Sequence, residues 1–108
     1  MSARRIGSVV RSRIRTLLVE AFGDRLQGIV LYGSEARGTA DPDSDADLLV
    51  LLAGPVSLGK DLKMITDALY PLQLELERPI HAFPVDAKGY AEGGFSLYRN
   101  ALREGVLL

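Results

Sequence analysis

The chain has 108 residues, of which 47% are hydrophobic and 25% charged. That is globular composition with room for one core of a sheet and a few helices, and no space for a second catalytic domain. Cysteine is absent, which excludes a disulfide framework and thiolate metal sites. The net charge of -1 hides an asymmetry: up to Phe22 five arginines face Glu20 alone, giving +4, and the remainder carries -5.

In chain order, Ile6, Val9, Val10, Ile14, Leu17, Leu18 and Ala21 recur at steps of three and four. They predict an amphipathic helix that ends before Gly23 and covers one side of a sheet. Its arginines form a basic face that suits nucleic acid or an acidic partner, although such a face is more often simply solvated. Gly28 to Tyr32 is a β-branched and aromatic run stopping at Gly33, and Leu48 to Leu52 is a second run stopping at Gly54-Pro55. Unbroken apolarity predicts two strands covered on both faces. Leu58, Leu62, Ile65, Leu69 and Leu72 predict a long helix, which Pro71 must kink or divide. Pro79 to Pro84 is a short strand bracketed by prolines, as suits an edge or strand ends. Gly89 to Gly94 reads as loop and Phe95 to Glu104 as a last helix capped by Gly105. Val106-Leu107-Leu108 reads as a final strand. Without a repeat, a linker or a segment long enough to span a membrane, residues 1–108 are expected to form one cytoplasmic domain with no membrane association.

The stretch that carries chemistry is Tyr32-Gly33-Ser34-Glu35-Ala36-Arg37-Gly38, followed by Asp43-Ser44-Asp45-Ala46-Asp47-Leu48. A glycine at a strand end lets the backbone approach a ligand, and Ser34 opens a turn whose free N–H groups make an anion site. Arg37 adds a forked, permanently charged donor that matches phosphate oxygens. Asp45 and Asp47, two apart at the start of a strand, leave the same face with Cα atoms about 6–7 Å apart. Two such carboxylates suit a hard cation such as Mg2+ that keeps open positions for a polyphosphate. Taken alone, an Asp-x-Asp is ordinary turn chemistry. Its coupling to a Gly-Ser and an Arg-Gly turn argues for a site.

At these residues the chain resembles the minimal nucleotidyltransferases of the DNA polymerase β-like superfamily, whose pattern is Gly-Ser-x-Ala-Arg-Gly, a spacer, then Ser-Asp-x-Asp-Leu. Gly33, Ser34, Ala36, Arg37, Gly38, Ser44, Asp45, Asp47 and Leu48 fill every fixed position, and Tyr98-Arg99-Asn100 with Arg103-Glu104-Gly105 resembles the family's closing helix. The resemblance implies an α/β (α+β) fold, a small mixed sheet with helices packed on it. It implies Gly33, Ser34, Arg37 and Ser44 on a nucleoside triphosphate, foremost ATP. Asp45 and Asp47 would hold Mg2+ (or Mn2+), and NMP, foremost AMP, would pass to a hydroxyl.

The family's third carboxylate, on a neighbouring strand, is missing. In Ile80-His81-Ala82-Phe83 the residue nearest that place is His81; Asp86 has the wrong parity for that face, and Glu77 precedes Pro79. As the third catalytic candidate beside Asp45 and Asp47, His81 offers an imidazole able to take a proton from an attacking hydroxyl. It is a poor magnesium ligand, and the plain alternative is a hydrogen-bonded structural histidine. Gly54 to Asp61 has the Gly-x-x-x-x-Gly-Lys spacing of a P-loop, yet Asp61 replaces the required hydroxyl and Pro55 removes a donor. It is expected to be a loop ending at Ser57, the N-cap of the long helix. Gly33 to Gly38 also fails as a dinucleotide fingerprint.

Three functions compete. The first is an enzyme adenylylating a hydroxyl of a HEPN-type toxin, as the antitoxin of a toxin–antitoxin pair. The second is an impaired binding module that neutralises its partner sterically. The third is transfer to a small molecule such as an aminoglycoside. Homo-oligomerisation stays open, and nucleic-acid binding rests only on the basic first helix.

Overall fold

A computed structural model describes residues 7–32, 46–76, 79–93 and 105–108. Helix α1 spans Ser8–Phe22, and its four-residue spacing buries Ile14, Leu18 and Phe22 along one stripe. It stops at Gly23, whose φ of 56° belongs to glycine and whose N–H closes on the Val19 carbonyl. A 3-10 turn, Gly23–Arg25, leads into β1, Leu26–Tyr32. Then follow β2 (Ala46–Leu52), α2 (Leu58–Glu75), β3 (Ile80–Asp86), the short α3 (Ala87–Glu92) and β4 (Val106–Leu107).

The strands lie in the order β3-β2-β1-β4. β1 is antiparallel to both β2 and β4, whereas β2 and β3 run parallel. A parallel pair needs a crossover, and α2 supplies it. The architecture is therefore the expected small mixed sheet with helices packed on it.

Side chains alternate across the sheet. Ile29, Leu31, Leu48, Val50 and Leu52 face Ile14, Leu18, Ile65, Leu69 and Leu72 of α1 and α2. On the other face Val30, Leu49, Leu51 and Val85 pack with Tyr90 of α3. Both central strands are thus covered on both sides along these positions, which is why their sequences read as continuous apolar runs. Burying each leucine or isoleucine contributes about 2 kcal/mol, so this two-faced core anchors both central strands.

Several boundaries differ from expectation. α2 is not divided: it runs unbroken through Pro71, whose ring removes one helical hydrogen bond. Leu69 and Leu72, 5% and 1% exposed, anchor both sides of that defect in the core. β3 does not end at Pro84 but continues to Asp86, with Pro84 in register with Val50 on the edge strand. Part of the expected 89–94 loop is helical, because the Asp86 carboxylate accepts the Lys88 N–H at 2.9 Å and Gly93 closes α3 at φ 66°. The expected 95–104 helix lies outside the described residues. The final strand is present, and the Leu108 N–H extends it by donating to the Ile29 carbonyl at 2.8 Å.

Part of the basic face of α1 is engaged within the chain. Arg13 pairs with Glu75 of α2, and Arg15 donates to the Leu108 carbonyl at 3.1 Å. No helix among the described residues is long and apolar enough to cross a membrane.

Candidate functional site

β1 ends where β2 and β3 begin, so one edge of the sheet collects the last residue of β1 and the early residues of the other two. There Tyr32 pairs with Asp47, and Asp47 pairs with His81. Strand alternation puts all three on the face turned away from α1 and α2. Leu48 and Leu31, one residue along, point into the core instead. Tyr32 and Asp47 are half-buried and His81 is exposed. The next row inward is Val30, Leu49 and Phe83, with Phe83 still partly open to solvent at 43% exposure. A polar row therefore caps an apolar floor at this end of the sheet.

Burial first, and then the negative charge of Asp47, raises the Tyr32 phenol above its ordinary pKa. The phenol consequently stays protonated and keeps its hydrogen-bond donor at neutral pH. A carboxylate flanked by a neutral phenol and an imidazole is a usable donor set for a divalent ion, because Asp47 and His81 both supply lone pairs from adjacent strands. No group of three potential ligands occurs among the described residues.

Of the residues assigned from sequence, Asp47 and His81 are brought together here. Gly33, Ser34, Arg37, Ser44 and Asp45 lie outside the described residues, as does Glu77. Asp86 is taken out of contention: it pairs with Leu52 at the opposite end of the sheet and caps α3. Tyr32 was overlooked as a neighbour of Asp47. The signal was the hairpin-like succession of two strands, which sets its parity equal to that of Asp47.

The Gly54 to Asp61 stretch behaves as a structural tie. Ser57 is the N-cap of α2, but its side chain makes no capping bond. The Asp61 carboxylate instead accepts the Ser57 N–H at 3.0 Å. It also accepts Arg25 Nη1 and Nη2 at 3.0 and 3.1 Å. Arg25 further donates to the Pro55 carbonyl at 3.3 Å. The Arg25 hydrogen bond holds Asp61 below the usual carboxylate range despite the opposing effect of burial. A buried anion at this point repels phosphate, which disposes of the P-loop.

The sequence profile of the nucleotidyltransferase domain matches residues 11–108. The chain belongs to the nucleotidyltransferase domain family. No curated protein matches it. Among solved structures, this nucleotidyltransferase domain is similar to the crystal structure of a toxin–antitoxin with AMP-PNP. The TM-score is 0.62 and the identity 21%, over 89% of this chain and 69% of that one. It is also similar to a mutant of the toxin–antitoxin MntA-HpeT, with TM-score 0.61 and 20% identity over 91% and 70% of the two chains. These neighbours share its fold, and the row Tyr32, Asp47, His81 sits at the sheet end where β1 and β2 flank the Gly33 to Asp45 motif in sequence.

Proposed function

We propose that this nucleotidyltransferase domain binds a metal-bound nucleoside triphosphate, foremost ATP, and transfers NMP to a hydroxyl of a protein toxin, acting in the cytoplasm as the antitoxin of the pair. The observation that carries the reading is the adjacency of Asp47 and His81 at the sheet end where the Gly-Ser and Asp-x-Asp motif joins β1 to β2. The two structural neighbours support it, one being a toxin–antitoxin with AMP-PNP and the other the toxin–antitoxin MntA-HpeT by name. The HEPN class of the toxin and AMP as the transferred group follow from the family resemblance.

In this reading Gly33, Ser34, Arg37 and Ser44 hold the phosphates, and Asp45 and Asp47 hold the cation. His81 acts as the third catalytic residue at the place of the missing carboxylate. The acceptor oxygen bonds to the α-phosphorus, the bond to the bridging oxygen breaks, pyrophosphate leaves, and the hydroxyl proton passes to a base or to water. A divalent ion, when bound, neutralises the charge that develops on the phosphates. Asp47 orients that charge from a strand locked on both faces, so its position does not relax as the reaction proceeds.

Steric neutralisation without transfer is the second reading, and the feature favouring it is the absence of an acid at position 81. Radiolabelled ATP with Mg2+ or Mn2+ and the partner separates the two. Transfer gives a labelled partner, and Asp45→Asn or Asp47→Asn abolishes it. If wild type and both variants suppress the toxin equally with no label, the enzyme reading is wrong and the steric one stands.

A further inference from the structure

Asp47 and His81 are register partners on adjacent parallel strands, and both project from the face of the sheet turned away from α1 and α2. Neighbouring strands lie about 4.8 Å apart. A carboxylate oxygen and an imidazole nitrogen leaving such positions need converge only slightly to reach the roughly 3 Å that separates adjacent ligands of one ion with bonds near 2.1 Å. Asp47 is half-buried and His81 exposed, which leaves the outer side open to water and phosphate oxygens as remaining ligands.

The chemistry of this pair does not match magnesium well. Magnesium takes oxygen ligands and gives up water reluctantly. Imidazole nitrogen strengthens binding along the first transition series instead. We propose that Asp47 and His81 together form a mixed oxygen–nitrogen site that selects a first-row transition ion over magnesium, with His81 as a direct ligand. The inference rests on the nucleotidyltransferase reading for the metal role of Asp47. A ring nitrogen bound to an ion no longer accepts a proton, so His81 then acts through the metal and not as the base for the acceptor hydroxyl.

The test uses the untagged 108-residue chain, in which His81 is the sole histidine. Cobalt(II) binding is followed by visible absorption, with magnesium as competitor, for wild type, His81→Asp, His81→Ala and Asp47→Asn. His81 is exposed on an edge strand, so its replacements leave the core intact. Wild type is expected to favour cobalt over magnesium by about tenfold or more, and His81→Asp to lower that ratio by about tenfold. Pulsed electron paramagnetic resonance of bound manganese(II) should show nitrogen coupling in wild type and none in His81→Ala. An unchanged ratio in His81→Asp, or bound manganese without nitrogen coupling, overturns the inference while leaving the nucleotidyltransferase reading intact. Unaltered ion binding by Asp47→Asn overturns the metal role of Asp47 and the inference with it, as does binding of neither ion to wild type.

Discussion

Replacing Asp61 by alanine removes three hydrogen bonds at once: two from the Arg25 guanidinium at 3.0 and 3.1 Å and one from the Ser57 N–H at 3.0 Å. The carboxylate is 2% exposed, and bonds to a buried charge are each worth about 1.5–3 kcal/mol. Their sum overstates the loss. The Arg25 side chain is 38% exposed and regains water when its partner is gone, and Ser57 sits at an exposed helix start. We therefore expect Asp61→Ala to cost about 3 kcal/mol, out of a total of roughly 5–15 kcal/mol for a domain of this kind. In thermal unfolding at pH 7 that is a fall of about 12 °C or more. The pH dependence has a definite sign. Arg25 holds the folded carboxyl below its unfolded value near 3.9, so the stabilisation is complete above about pH 4 and is lost as pH falls through the lower folded value. Urea titrations of wild type and Asp61→Ala should therefore converge as the pH is brought below 4. A loss under about 1 kcal/mol at pH 7, or curves that stay parallel into acid, would refute the assignment of this carboxylate as the tie between the 3-10 turn and α2.

Three further outcomes follow from single contacts. Asp47→Asn should lower the pKa of the Tyr32 phenol, since the carboxylate charge is one of the two causes that raise it, while Tyr90, raised by burial alone, should not move. Carbon-13 tyrosine NMR across the alkaline range reads both. Pro71→Ala should stabilise the protein by about 1–2 kcal/mol in urea unfolding: it restores an N–H to an exposed helix position and gives back part of proline's helical penalty of about 3 kcal/mol. Gly54→Ala would place a Cβ 2.9 Å from the Asp86 carboxylate oxygen that borders it. The displaced side chain should release the Lys88 N–H, seen as faster amide exchange in α3 with the sheet core unchanged.

The sequence made the elements legible where apolar runs were unbroken or periodic. Gly28 to Tyr32 and Leu48 to Leu52 were marked by the glycines that end them, and α1 and α2 by their three- and four-residue spacing. It gave the parity of residues along each strand, which excluded Asp86 from the face of His81. It could not give the pairing between strands. That Asp47 meets His81 and not Phe83 depends on the parallel register of β2 and β3, which the packing of α2 across the sheet decides. Helix α3 was missed because its glycine and lysine dilute an already short pattern, although Asp86 two residues before Lys88 was an available capping signal. The Arg25 to Asp61 tie joins residues 36 apart and has no local signature at all.

Pro84 has an effect that reaches past the single molecule. β3 is the sheet's outer strand, and its ladder with β2 continues from Ile80 to Asp86 straight through the proline. The N–H that proline lacks is thus missing from the outer rim of β3, where Pro84 is itself buried and the Ile80 N–H is already taken by Gln73 Oε1 at 2.7 Å. A strand from another copy approaching that rim finds a gap midway along its row of donors, so edge-to-edge fibre growth is discouraged where the fold would otherwise offer a template.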